Sequence, residues 1–101
     1  MQLSADDVYK YSQEKNVVIL DVRDASFLKE GMIKGSIWVG FDGSFANYVG
    51  SLFDPADRFV LYGTGEEAKE AITRLFRIGY INIIGHANFE FKEWKDKKLP
   101  L

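Results

Sequence analysis

The run Val17-Val18-Ile19-Leu20 constrains this chain more than any other feature. Four consecutive β-branched or apolar residues are too few for a helix, and no polar alternation gives them a wet side. They suit a strand buried on both faces, at the centre of a sheet. Such a strand needs helices above and below it, and the crossovers that supply them make the sheet parallel.

The rest of the chain supplies those pieces. Ser4-Ala5-Asp6-Asp7 reads as a capping box with Asp in place of Glu, and Val8 and Tyr11 follow at helical spacing, predicting a helix from Ala5 to Glu14. Asp24 caps a short helix over Ala25 to Glu30 that Gly31 ends, and Ile37-Trp38-Val39 forms a strand after the Gly35-Ser36 turn. Asp42-Gly43-Ser44 precedes Phe45, Tyr48, Val49 and Leu52, one helical face, before Asp54-Pro55 breaks the pattern.

Arg58 to Tyr62 is the next strand. Glu66 to Ile78 is the clearest helix: Ala68, Ala71, Ile72, Leu75 and Ile78 share one side, Glu70 and Arg74 pair on the other, and Gly79 caps the end. Ile81-Asn82-Ile83-Ile84 reads as a last strand and Phe89 to Lys95 as a last helix. The alternation predicts an α/β fold with a mainly parallel sheet of four to five strands and helices on both faces.

At 101 residues, 47% hydrophobic and 28% charged, the chain reads as one compact domain over residues 1–101, with no repeat or linker. Thirteen basic and fifteen acidic residues give a net charge of −2, without the basic stripe that nucleic-acid binding needs. The lysines of Lys92-Glu93-Trp94-Lys95-Asp96-Lys97-Lys98 are interrupted by acids and read as a solvated helix face. No signal-like segment or membrane-length apolar run is present, so the expectation is a soluble, cytoplasmic protein. The chain has no cysteine and one histidine, His86, which excludes disulfides, thiolate sites and a histidine-rich metal site; no cofactor is expected.

Chemistry in open α/β sheets gathers where strands end and helix N-termini present free N–H groups. Here that place is Gly63-Thr64-Gly65-Glu66-Glu67, directly after Tyr62. Glu66 and Glu67 satisfy the helix dipole and repel anions, so a phosphate is disfavoured and with it a phosphatase. Thr64 has no identifiable base beside it. His86 is expected after the last strand, where it could share the rim of this loop; a lone histidine reads more readily as a structural or surface residue than as a base. Trp38, Phe41, Phe45 and Tyr48 read either as core packing with a loop anchor or as an aromatic docking surface.

Leu20-Asp21-Val22-Arg23, Phe27, Gly31-Met32-Ile33-Lys34-Gly35-Ser36-Ile37, the strand Val60-Leu61-Tyr62, Gly79-Tyr80 and Trp94, in this order, resemble a rhodanese-like domain over nearly the whole chain. Glu66-Glu67-Ala68, Ile72-Thr73-Arg74-Leu75, Ile78-Gly79-Tyr80 and Asn82-Ile83-Ile84-Gly85 resemble, more narrowly, the rhodanese-like modules fused to metallo-β-lactamase-fold sulfur enzymes. The resemblance implies a cysteine at the first loop position, carrying sulfur as a persulfide; Gly63 stands there, in a loop shorter than the family's. Met32 and Lys34 replace a usual histidine and proline, and Phe89-Glu90 a glycine pair. Asp21 and Arg23 resemble the family's structural partners at strand ends.

The expectation is a domain without sulfurtransferase activity that serves as a binding, regulatory or structural module. Its partner would be another protein or a fused metallo-β-lactamase-fold domain. Two alternatives stand beside it: a rebuilt non-thiol site in which Thr64, Glu66, Glu67 and His86 converge in one cleft, and small-anion recognition at Gly63 to Gly65.

Overall fold

A computed structural model describes residues 2–41 and 43–101. Its elements, in chain order, are β1 (Gln2–Leu3), α1 (Ala5–Ser12), β2 (Val17–Asp21), a 3-10 helix (Ala25–Glu30), β3 (Ile37–Trp38), α2 (Phe45–Leu52), β4 (Arg58–Tyr62), α3 (Gly65–Arg77), β5 (Ile83–Ala87) and α4 (Phe91–Asp96). Among the described residues the five strands form one sheet, ordered β1-β5-β4-β2-β3, with every pairing parallel. Asp42, expected before α2, lies outside the described residues.

Two expectations are corrected. The middle of the sheet is β4, and β2 lies one place off centre between β4 and β3. The reason is burial: Phe59, Val60, Leu61 and Tyr62 are all buried, whereas Val17 and Val18 are half-buried and β2 gains only a two-residue neighbour beyond it. The last strand is Ile83–Ala87 rather than Ile81 to Ile84, and Ile81 is exposed. Pairing decides here, not apolarity. After a register shift between Phe59 and Val60, Gly85, His86 and Ala87 align with Val60, Leu61 and Tyr62. His86 therefore sits inside β5, not after it.

Period-2 alternation along β4 divides the core. Phe59 and Leu61 join Leu20, Phe45, Val49, Ala68, Ala71 and Leu75 beneath α2 and α3. Val60 and Tyr62 join Leu3, Val8, Ile19, Ala87, Phe91 and Trp94 beneath α1 and α4. Helices thus cover both faces. Phe59 meets Phe53 and Tyr80 edge-on, at centroid distances of 5.5 and 6.0 Å. In the aromatic quartet, Phe45 is buried, Phe41 stacks on it at 5.7 Å, and Trp38 donates its indole N–H to the carbonyl of Arg23 at 2.8 Å. Tyr48 alone of the four is exposed.

Helix α3 has the start and stop its sequence demands. Thr64 and Glu67 form a reciprocal capping box, Arg74 and Arg77 occupy the last turn, and Gly79 follows in a left-handed conformation at φ 87°. Leu61 lies fully buried on the central strand. Leu61→Ala is expected to lower unfolding stability by about 2–5 kcal/mol, while Ile81→Ala stays within about 0.5 kcal/mol. Urea denaturation of the two variants checks the contrast.

Candidate functional site

Asp21, Tyr62 and Ala87 stand side by side at the carboxyl ends of β2, β4 and β5. The pairing continues one step further, since Val22 donates to the Tyr62 carbonyl and Gly63 to the Ala87 carbonyl, at 2.9 and 3.0 Å. Gly63 is therefore held rigidly at the end of the sheet, buried, just before α3 begins.

The space beside Gly63 is occupied. A β-carbon at this position would lie 3.0 Å from both Glu67 Oε1 and Val22 Cγ2, and 3.4 Å from Glu67 Cβ. Glu67 comes so close because it folds back to cap its own helix: its carboxylate accepts from the Thr64 N–H at 2.9 Å, and the Thr64 hydroxyl accepts from the Glu67 N–H at 3.1 Å. An internal carboxylate thus sits at the helix N-terminus, where an external anion would otherwise be favoured. The Thr64 hydroxyl is engaged in the same cap.

Below this turn, Asp21 and Arg23 form a buried ion pair, with Arg23 7% exposed and Asp21 fully buried. Arg23 Nε donates to Asp21 Oδ1 at 2.9 Å and Nη2 to Asp21 Oδ2 at 2.7 Å, a two-pronged grip of the carboxylate. Nη2 also donates to the Gly31 carbonyl at 2.9 Å. The guanidinium carbon lies 4.8 Å from the ring centre of Tyr62 and 5.3 Å from that of Phe91. Gly31 is needed here: its φ is +123°, and a β-carbon would fall 2.7 Å from the Phe91 ring. Among the described residues, Arg23 Nη1 is a buried polar atom without a hydrogen-bond partner.

Burial works against the Arg23 charge, but the hydrogen bonds and charge of Asp21 outweigh it and raise the Arg23 pKa above its ordinary value. Burial also pushes the Tyr62 phenol up to about 12, with the charge of Arg23 pulling the other way. The Tyr62 hydroxyl donates to the Phe89 carbonyl at 3.1 Å, and the two rings stack at 4.7 Å.

These groups border a cavity of about 360 Å³. Its walls come from three stretches of chain: Arg23, Phe27 and Glu30; Tyr62, Thr64 and Glu67; and Asn88 to Lys92. Of the residues singled out in the sequence, Arg23, Thr64 and Glu67 meet at this cavity, and Asp21 supports it through Arg23. Gly65 and Glu66 are exposed and do not line it. His86 is paired in register with Leu61 and Gln2 inside the sheet and does not line it either. The geometry therefore does not gather Thr64, Glu66, Glu67 and His86 into one cleft. Among the described residues, no group of three or more His, Asp or Glu side chains could hold a metal ion, and no helix is long and apolar enough to cross a membrane.

Tyr62, Phe27, Glu30 and Phe91 escaped the sequence reading as site residues. One signal was available: Thr64-Gly65-Glu66-Glu67 has the spacing of a capping box, which foretells that Glu67 turns back over the loop.

Residues 4–97 match the family model described as "Rhodanese-like domain". No curated protein sequence matches. Among solved structures, wild-type EanB is similar over 100% of this chain and 27% of its own, at 26% identity and a TM-score of 0.78. A cysteine-persulfide form of EanB with ergothioneine is similar to the same extent, at 26% identity and a TM-score of 0.77. A metallo-β-lactamase from Staphylococcus aureus subsp. aureus COL is similar over 75% of this chain and 23% of its own, at 26% identity and a TM-score of 0.65. The chain thus spans about a quarter of the length of these proteins.

Asp21→Asn leaves the Arg23 charge buried without its counter-charge and is expected to reduce stability by about 3–5 kcal/mol, read from urea denaturation. The Tyr62 phenol, raised from its ordinary value of 10.0 to about 12, keeps its proton in the folded chain after the unfolded chain has released it. Its contribution to stability is therefore full below pH 10 and declines as the pH rises toward about 12. Titration of the ultraviolet phenolate band should show Tyr62 ionising late, and Tyr62→Phe should remove that late step.

Proposed function

The chain belongs to the rhodanese-like domain family, and on that premise we propose that it is a binding or regulatory module without sulfurtransferase activity. The observation that carries this reading is Gly63 at the position where the family resemblance implies a cysteine, in a chain that contains none. A persulfide carrier must hold sulfur covalently on a thiolate between its two half-reactions, and no other side chain here can substitute. The cap strengthens the reading, because Glu67 occupies the space beside residue 63 and brings negative charge to the place where an anionic sulfur donor would have to sit.

The setting we propose is that of an accessory unit of a sulfur-metabolism enzyme. The likeness to EanB and to part of a metallo-β-lactamase, each over about a quarter of the longer chain, supports it. The catalytic groups would then reside on another domain of the same polypeptide or on a separate protein. A cytoplasmic location is part of the same proposal, supported by the cysteine-free composition.

Purified protein is expected to form thiocyanate from thiosulfate and cyanide no faster than the uncatalysed background; turnover above it overturns the reading. Gly63→Cys alone is expected to stay silent as well. The new side chain crowds Glu67 Oε1 and Val22 Cγ2, each of which must give by a few tenths of an ångström, and we expect a stability loss of about 1–2 kcal/mol in thermal or urea unfolding.

A further inference from the structure

The stretch between Arg23 and Gly31 is attached to the fold through its two ends. Its 3-10 helix, Ala25–Glu30, buries no residue: Leu28 is half-buried, Phe27 is 47% exposed, and neither belongs to either side of the core. Its hydrogen bonds are its own. The Ser26 N–H and hydroxyl donate to the Asp24 carboxylate, the Phe27 N–H to the Asp24 carbonyl and the Gly31 N–H to the Leu28 carbonyl. Among the described residues, none of residues 24–30 hydrogen-bonds to anything outside 24–31. The ends, by contrast, are pinned to one group. The Arg23 carbonyl accepts from Trp38, its guanidinium grips Asp21, and Nη2 closes the loop by donating to the Gly31 carbonyl at 2.9 Å. Glu30, next to that neck, is coupled electrostatically to the same guanidinium.

A segment held at its neck and lacking core contacts opens at far less cost than the sheet, because local opening exposes only what the segment itself buries. Phe27 and Glu30 line the same cavity as Tyr62 and Phe91, both of which are buried, so movement of the segment changes access to those rings. We propose that the 3-10 helix is a flap on this cavity, hinged at Asp24 and Gly31, that opens and closes as a unit while the sheet and both sides of the core stay folded. The inference goes beyond the binding-module reading, since such a gate serves any occupant of the cavity. Both hinge positions suit rotation: Asp24 is extended, at φ −57° and ψ 143°, and Gly31 holds φ +123°, a conformation that glycine adopts without strain. The Asp24 carboxylate spans the first hinge and latches it by accepting from Ser26. The Arg23–Asp21 pair and the Arg23–Gly31 bond lie outside the moving part and persist in the open state.

The test is relaxation-dispersion nuclear magnetic resonance on isotope-labelled protein, following backbone amides and aromatic side chains. One shared exchange rate is expected for the amides of residues 25–31 and for the rings of Phe27, Tyr62 and Phe91, with β4 and α3 silent. Asp24→Ala, a change at an exposed position, releases the latch on Ser26 and is expected to raise the open population about fivefold, the effect of losing a helix cap. Ala25→Pro is expected to lower it about threefold, because proline is tolerated at the first helical position and holds the preceding residue in the extended conformation that Asp24 already has. The inference is overturned if the segment shows no exchange, if its amides exchange only together with those of β4, or if they exchange while the Tyr62 and Phe91 rings stay silent. It is equally overturned if either variant leaves the open population unchanged.

Discussion

The guanidinium of Arg23 is the point at which the carboxyl end of the sheet is tied together. Through Nε and Nη2 it holds Asp21 at the end of β2, through Nη2 it holds the carbonyl of Gly31 where the 3-10 helix ends, and its faces lie near the rings of Tyr62 from β4 and Phe91 from α4. The backbone of Arg23 adds a further tie, accepting from the indole of Trp38 after β3. A buried ion pair contributes little net stability compared with a well-packed apolar replacement, but breaking one half is severe. Its value here is geometric: four segments remote in sequence are fixed relative to one another by a single planar group. The shape of the cavity follows from that group, since both flanking rings and Arg23 itself are wall residues.

The turn after Tyr62 obeys a different constraint. Strand pairing continues through Gly63, so the backbone there cannot drift, and α3 starts one residue after Thr64. A helix that starts at a fixed point leaves N–H groups that need acceptors. The chain answers with its own Thr64 and Glu67, and the absence of a side chain at residue 63 gives Glu67 room to do so. The glycine and the capping acid are thus two halves of one local solution.

Much of the architecture was legible in the sequence because its signals are local. Helix α3 announces itself through Ala68, Ala71 and Leu75 with acids at one end and arginines at the other, and β2 and β4 through uninterrupted apolar runs. That Gly63 stands where a cysteine is expected was readable only through the family resemblance, since no local pattern marks the position. The bounds of strand β5 were not legible, because its register is set by pairing with β4: the apolar Ile81 lies outside it and the polar His86 within. The cavity was the least legible part. Its walls come from three separated stretches that meet around Arg23, through Gly31, Tyr62 and Phe91, which no local pattern encodes.

The stacked rings on the α4 side have an optical consequence. Tyr62 stacks on Phe89, and Phe89 on Trp94 at 5.9 Å, so one of the two indoles is linked to the cavity wall through a continuous column of rings. The other indole, Trp38, reports on the opposite side of the same arginine through its hydrogen bond to the Arg23 carbonyl. Both tryptophans of the chain are therefore linked to one small region, and tryptophan emission becomes a native gauge of what happens at the mouth of the sheet, without any label.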